Sequence, residues 1–158
     1  MDDSDHSERA ITAAEALGLA FTVARHGPVR SLEEAAAARG VEPSAVVKTI
    51  VVRLSEGDYR FVLVPGDREI AWPKLRALLG VNRLSMPDAA TAFEVTGYVR
   101  GTITPLGSST PWPVVADSSM TGTISLGGGA HGVALNVDAT ELVSALGASV
   151  ADVTGPTG

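Results

Sequence analysis

The hydrophobic pattern is most regular in residues 46–54 and 59–64, two apolar runs separated by Ser55-Glu56-Gly57-Asp58. Runs of this length around a Gly-containing turn predict a β-hairpin. Period two puts Val46, Lys48, Ile50, Val52 and Leu54 on one face and Val47, Thr49, Val51 and Arg53 on the other, so Lys48 falls on the more apolar face. Helical spacing is carried by Ile11, Ala14 and Leu17, which predicts a helix over 9–17 closed by Gly18. Residues 19–25 alternate loosely, as a strand does. Ser31 and Glu34 form a capping-box pattern that opens an alanine-rich helix ending at Gly40.

Beyond the hairpin, Pro65-Gly66-Asp67-Arg68 predicts a turn, and Pro73 opens a short helix ending at Gly80. Residues 82–86 fit a short strand, and a helix starting near Pro87 runs out before Gly97. Residues 114–117 read as a buried strand, 121–126 as a weaker one and 132–137 as an alternating one. Asp138 caps a helix whose Ala139, Leu142, Val143 and Leu146 share one face, and residues 149–153 fit a last strand. No repeat or linker interrupts the series. The expected architecture is one α+β domain over 9–154, a mixed and partly barrel-like sheet surrounded by short helices, with residues 1–8 and 155–158 as flexible tails.

Composition narrows the chemistry. A chain of 158 residues buries roughly 70% of the surface its unfolded form exposes, enough for a core without staples. With no Cys, disulfides, thiolate metal sites and a cysteine nucleophile are excluded, and three His without ligand spacing argue against a metal. The acidic start is unlike a signal peptide, and the apolar runs fall far short of the roughly 20 residues of a membrane helix, so a cytoplasmic protein is expected. A net charge of −6 argues against coating nucleic acid by bulk electrostatics, while leaving room for one local grip.

Three places could carry chemistry. Residues 97–107 hold Gly97, Gly101 and Gly107 with Pro105 among Val99, Ile103 and threonines, either a strand with a bulge and a turn or a site built from main-chain N–H groups. Lys48 either snorkels along its strand to the rim or shares a pocket with an anionic or polar occupant. Gly127-Gly128-Gly129 permit a flexible turn or a close backbone approach, with His131 within reach of a ligand, and Asp117 at a strand end could orient Lys48. No nucleophile elbow, P-loop or dinucleotide fingerprint is present.

Taken together, Val47-Lys48-Thr49-Ile50-Val51-Val52, Val64-Pro65-Gly66-Asp67, Gly97-Tyr98, Gly101-Thr102-Ile103-Thr104-Pro105-Leu106-Gly107 and Val114-Val115-Ala116-Asp117 resemble the YbaK-like family, related to the editing insertion domain of bacterial prolyl-tRNA synthetase. The resemblance implies a free-standing, metal-independent and cofactor-free hydrolase that removes a small amino acid, alanine or cysteine, from the 3′ end of a tRNA for proline. It implies Lys48 and Gly101 as catalytic residues. The substrate contacts it suggests are Gly97, Tyr98, Thr102, Ile103, Thr104, Pro105, Asp117, Gly128, Gly129 and His131. The implied partners are the tRNA acceptor end and a prolyl-tRNA synthetase, without a membrane; the alternative is a non-catalytic module binding an aminoacyl-nucleotide. Ala130-His131 replace the basic residues that relatives often carry there, and Ser118 stands where they commonly show a second acid.

Overall fold

The computed structural model describes residues 3–157. In chain order these form α1 (Asp3–Ala16), β1 (Phe21–Arg25), α2 (Leu32–Arg39), β2 (Val46–Ser55), β3 (Asp58–Pro65), β4 (Arg68–Ile70), α3 (Trp72–Leu79) and α4 (Ala89–Thr96). Then follow β5 (Val114–Asp117), β6 (Thr123–Gly127), β7 (Val133–Asp138), α5 (Ala139–Leu146), β8 (Ser149–Ala151) and β9 (Thr154–Pro156).

The hairpin forms as its apolar runs predict, with Lys48 opposite Val64 and Ile50 opposite Val62. It is the centre of a seven-stranded sheet in the order β1-β7-β6-β2-β3-β5-β8, while β4 and β9 pair separately. The β2–β6, β3–β5 and β5–β8 pairs are parallel and the others antiparallel, which makes the sheet mixed, as expected of an α+β domain. Its edge strands β1 and β8 do not pair, so the sheet stays open rather than closing as a barrel.

Both faces of the hairpin are covered, which explains why residues 46–54 read as a run instead of a clean alternation. Val47, Val51, Phe61 and Leu63 face the larger core, which Ala10 and Ala14 of α1, Tyr98, Leu106 and Leu142 of α5 complete. Ile50, Val52, Val62 and Val64 face a smaller cluster with Ile70, Trp72 and Leu75. Each fully buried side chain of this kind contributes about 1.5–3 kcal/mol. Lys48 lies on the face of the smaller cluster but is exposed, so only the stem of its side chain runs beside apolar neighbours.

Local signals place the helices. Ser31 Oγ accepts from the Glu34 N–H at 3.1 Å, and Asp88 and Asp138 cap α4 and α5 by accepting from Thr91 and Glu141. Glu34 reaches back one residue further than a standard capping box, accepting from the Arg30 N–H at 2.6 Å.

Four segments depart from expectation. The acidic start, read as a frayed tail, is helical from Asp3, with His6 and Ser7 buried and the His6 ring edge-on to Phe93 and Tyr98. At the other end Thr154–Pro156 pairs with β4, and Thr157 donates to Asp67. Met1, Asp2 and Gly158 lie outside the described residues. Residues 82–86 make one bridge, Ser85 to Arg53, instead of a strand. Residues 97–107 are turns and loop throughout, not a bulged strand.

Candidate functional site

β2 changes neighbours along its length, and the change opens a groove. β6 pairs with it at Val46 and Val47. Ser85 then joins at Arg53 through two backbone hydrogen bonds of 2.7 and 3.1 Å. Between these points the edge of β2 turned away from β3 has no strand partner among the described residues, which leaves main-chain donors and acceptors for another occupant. A cavity of about 160 Å³ there is lined by Arg39, Lys48, Thr49, Gly101, Ile103 and Gly127. It shares Thr49, Gly101 and Ile103 with a second of about 200 Å³, walled by Ile50, Met86 and Ala92 with Arg100 at its side. A third, about 310 Å³, lies against Lys48, Ile50, Glu69, Trp72 and Met86. The shared walls make these three compartments of one groove along β2.

Lys48 Nζ donates to the Arg68 carbonyl at 2.9 Å, which aims the ammonium and leaves its other protons for a ligand. Arg68 is fixed in turn, its Nε donating to Thr154 Oγ1 at 2.6 Å and lying 3.8 Å from Asp117 Oδ2. Asp117 is buried and accepts from the Ser119 hydroxyl and from the N–H groups of Ser119 and Val153, each at 3.1 Å. Burial by itself would raise its carboxyl, but these hydrogen bonds outweigh it and hold the group below the usual carboxylate range. Asp117 therefore reaches Lys48 only through Arg68; it does not line the groove.

Arg39, which the sequence did not single out, is the second cation of the site. From the last turn of α2 its Nη1 donates to the Ser125 carbonyl at 3.4 Å, while among the described residues its Nε has no hydrogen-bond partner and no carboxylate pairs with it. Burial pushes the guanidinium down from its ordinary value, yet it stays charged at neutral pH. Thr49 Oγ1 in the same cavity is also unpartnered. An orphaned buried polar group costs on the order of 1–3 kcal/mol, and here two such groups sit beside two cations with no carboxylate in the cavity lining. The arrangement suits an anionic or carbonyl-rich ligand that would complete both.

The loop over the groove is held by buried contacts. Tyr98, fully buried, donates to the Leu106 carbonyl at 2.6 Å and closes the loop on itself. Arg9 of α1 donates to the carbonyls of Gly107 and Gly97 at 2.8 and 3.1 Å and stacks 4.4 Å from the Tyr98 ring centre. Thr102 Oγ1 donates to the Val99 carbonyl, and Thr104 Oγ1 accepts from the Leu106 N–H. Of the loop residues predicted to touch substrate, Gly97, Tyr98, Thr102, Thr104 and Pro105 thus build the loop, and Gly101 and Ile103 line the groove. Pro105 is buried within the loop and does not share a cavity with Lys48. Gly101 has φ +91°, and a Cβ there would meet nothing within 4 Å, so the space beside it is open groove.

The glycine run has another cause. At Gly129, φ +89°, a Cβ would stand 2.6 Å from the His6 carbonyl oxygen and 2.8 Å from Tyr98 Cε1. Gly128 is similarly closed by Val133 Cγ1 at 2.8 Å. These two glycines, expected at the substrate, instead admit α1 and neighbouring side chains; Gly127 alone of the run lines the groove. His131 is exposed and is not among the lining residues. Among the described residues no group of three His, Cys, Asp or Glu is placed to hold a metal ion.

Comparison with known proteins meets this geometry from outside. The chain is 38% identical over 96 residues to the proline–tRNA ligase of Thermosipho melanesiensis, covering 60% of this chain and 17% of that one. It thus spans about a sixth of that relative's length. The structure superposes on the crystal structure of the hypothetical protein APE2540 with a TM-score of 0.83 and 31% identity, over 93% of this chain and 99% of the other. Against a crystal structure described as a candidate trans-editing enzyme for prolyl tRNA synthetase the TM-score is 0.87 at 27% identity, over 97% and 98% of the two chains. Residues 26–145 match the family model described as the aminoacyl-tRNA editing domain. With most of its length inside that match, the chain belongs to the aminoacyl-tRNA editing domain family.

Proposed function

We propose that the protein is a trans-acting aminoacyl-tRNA deacylase, which hydrolyses the ester of a tRNA for proline carrying alanine or cysteine. The observation that carries this reading is the single cavity holding Lys48, Arg39 with its unpartnered Nε, Thr49 Oγ1 and the open face of Gly101. Two cations there suit the phosphate and ribose oxygens of the terminal adenosine. The Thr102 N–H is taken by the Val99 carbonyl, so the N–H groups of Gly101 and Ile103 are the main-chain donors left to face the ester carbonyl. Water adds to that carbonyl and passes a proton through the neighbouring ribose hydroxyl, charge develops on the carbonyl oxygen, and collapse expels the ribose oxygen, which takes up that proton. One preorganised donor to such an oxyanion is worth up to about 3–4 kcal/mol.

The compartment of about 200 Å³, walled by Ile50, Met86, Ala92 and Ile103, receives the amino-acid side chain. Alanine and cysteine both fit within that volume. A second sieve of this kind is needed because one methylene supplies a synthetase with only about 1–3 kcal/mol of discrimination. The likeness to the structure described for prolyl tRNA synthetase supports that enzyme as the source of the mischarged tRNA.

Incubation of the purified protein with alanyl-, cysteinyl- and prolyl-tRNA for proline tests the reading. The expected result is rapid release of alanine or cysteine, little release of proline, no slowing by a chelator, and loss of activity in Lys48→Ala. No release from any of the three, or a Lys48→Ala variant as active as the parent, overturns it.

A further inference from the structure

The bridge between Ser85 and Arg53 does more than end the groove. It brings Arg53, at the end of β2, together with Arg76 in α3 and Arg83 just before the bridge. They line one cleft of about 520 Å³ with Asn82, Leu84 and Ser85, and no acidic side chain joins the lining. None of the three forms an ion pair among the described residues, whereas Arg60, Arg68 and Lys74 each have a carboxylate. Arg53 Nε donates only to the Ser55 carbonyl, at 3.3 Å. Three uncompensated guanidinium groups in one cleft are notable on a chain whose net charge is −6.

The charge is also sorted across the fold. The depression of about 1090 Å³ on the β1 side is lined by Glu42, Asp138 and Glu141 and by no Lys or Arg. Such polarity repels a polyanion from one side and draws it to the other. The basic cleft continues the groove: Met86 walls two of the groove's compartments, and the preceding residue, Ser85, lines the cleft. From Lys48 to Arg53 the path follows five residues of β2, about 17 Å at strand rise.

We propose that Arg53, Arg76 and Arg83 form a phosphate-binding site for the RNA strand that leads into the Lys48 groove. This rests on the deacylase reading, in which the terminal adenosine lies at Lys48. The strand then extends a few nucleotides along the open edge of β2, and its backbone phosphates meet guanidinium groups suited to bidentate contact. Grip on the phosphates is independent of sequence, so this cleft supplies affinity and register, while the groove reads the aminoacyl end.

The test is the salt dependence of binding of uncharged tRNA to the parent, to the triple variant Arg53→Gln, Arg76→Gln, Arg83→Gln, and to a control that loses Arg25 and Arg30. Three lost phosphate contacts should lower the slope of log K against log salt by about 2, so that between 50 and 200 mM salt the parent loses about 15-fold more affinity than the triple variant. The control should keep the parent's slope, and all three should melt alike. Unchanged slope in the triple variant, or displacement of tRNA by an acidic peptide of equal charge, overturns the site. Cleavage of a 3′-aminoacyl adenosine by the parent keeps the two readings apart. If the parent cleaves it and the slopes are equal, this site alone fails. A parent that cleaves no aminoacyl ester yet shows the slope difference overturns the deacylase reading and leaves the RNA site standing.

Discussion

Substituting alanine at two glycines separates the packing role of the glycine run from the ligand role of the loop. Gly129 combines φ +89° with a Cβ position 2.6 Å from the His6 carbonyl and 2.8 Å from Tyr98 Cε1. A residue with a Cβ costs about 1–2 kcal/mol in left-handed backbone, and overpacking a filled site costs about 1–3 kcal/mol. Gly129→Ala should therefore destabilise by about 2–5 kcal/mol, which at about 2–4 °C per kcal/mol for a chain of this size lowers Tm by about 4–20 °C. At Gly101 φ is +91° but the Cβ position is open, so only the backbone cost of about 1–2 kcal/mol applies. Gly101→Ala should melt about 2–8 °C below the parent and still lose most of its deacylation, because the methyl group enters the groove. Calorimetric melting with initial rates on a mischarged tRNA, normalised to folded protein, reads both. A Gly129→Ala variant that melts within about 1 °C of the parent while losing activity would refute the packing account. A fully active Gly101→Ala variant would refute the groove account.

Two further outcomes follow from the charged groups. Arg39→Met keeps the apolar stem and removes a partly buried cation without a carboxylate partner, so Tm should hold or rise while kcat/KM for deacylation falls at least about tenfold; a variant with unchanged kcat/KM would remove Arg39 from the site. The Asp117 carboxyl is held below its ordinary value near 4, so its contribution to stability is complete above that value and is lost as pH falls through the lowered folded one. Asp117→Asn should lower Tm at pH 7, where hydrogen bonds to a charged group contribute about 1.5–3 kcal/mol, and the gap to the parent should narrow in melts below about pH 4; a gap that is constant with pH would contradict this.

How much of this was readable from the sequence depends on how local each cause is. The hairpin, α3, and the caps at Ser31 and Asp138 were legible, since the interactions that fix them lie within a few residues. Helix α1 extends beyond its sequence pattern because the His6 ring packs against Phe93 and Tyr98, almost ninety residues on. Gly155 and Pro156 look like a tail in the sequence because the strand they pair with, β4, is far away along the chain. Lys48 and Gly101 line one cavity, the first marked in the sequence by its place on an apolar strand face and the second by a glycine in an unusual run, whereas Pro105, expected beside them, is buried within the loop. The remaining loop positions were overassigned for the same reason: glycine and threonine that fold a loop look like glycine and threonine that hold a ligand. Arg39 left no sequence signal beyond a basic residue in a helix's last turn, and the three-arginine cleft exists only because Ser85 bridges to Arg53.

The central claim is that the terminal aminoacyl-adenosine occupies the gap beside β2, between Lys48 and the Gly101 loop. Titrating isotopically labelled protein with an uncleavable 3′-aminoacylamido adenosine and following backbone amide signals tests it most directly. The account predicts that the amides of Lys48, Thr49, Gly101 and Ile103 shift first and saturate together, with the Arg39 Nε signal moving alongside them. Shifts confined to Phe21, Glu42 and Asp138 around the acidic depression, with the β2 gap silent, would contradict it.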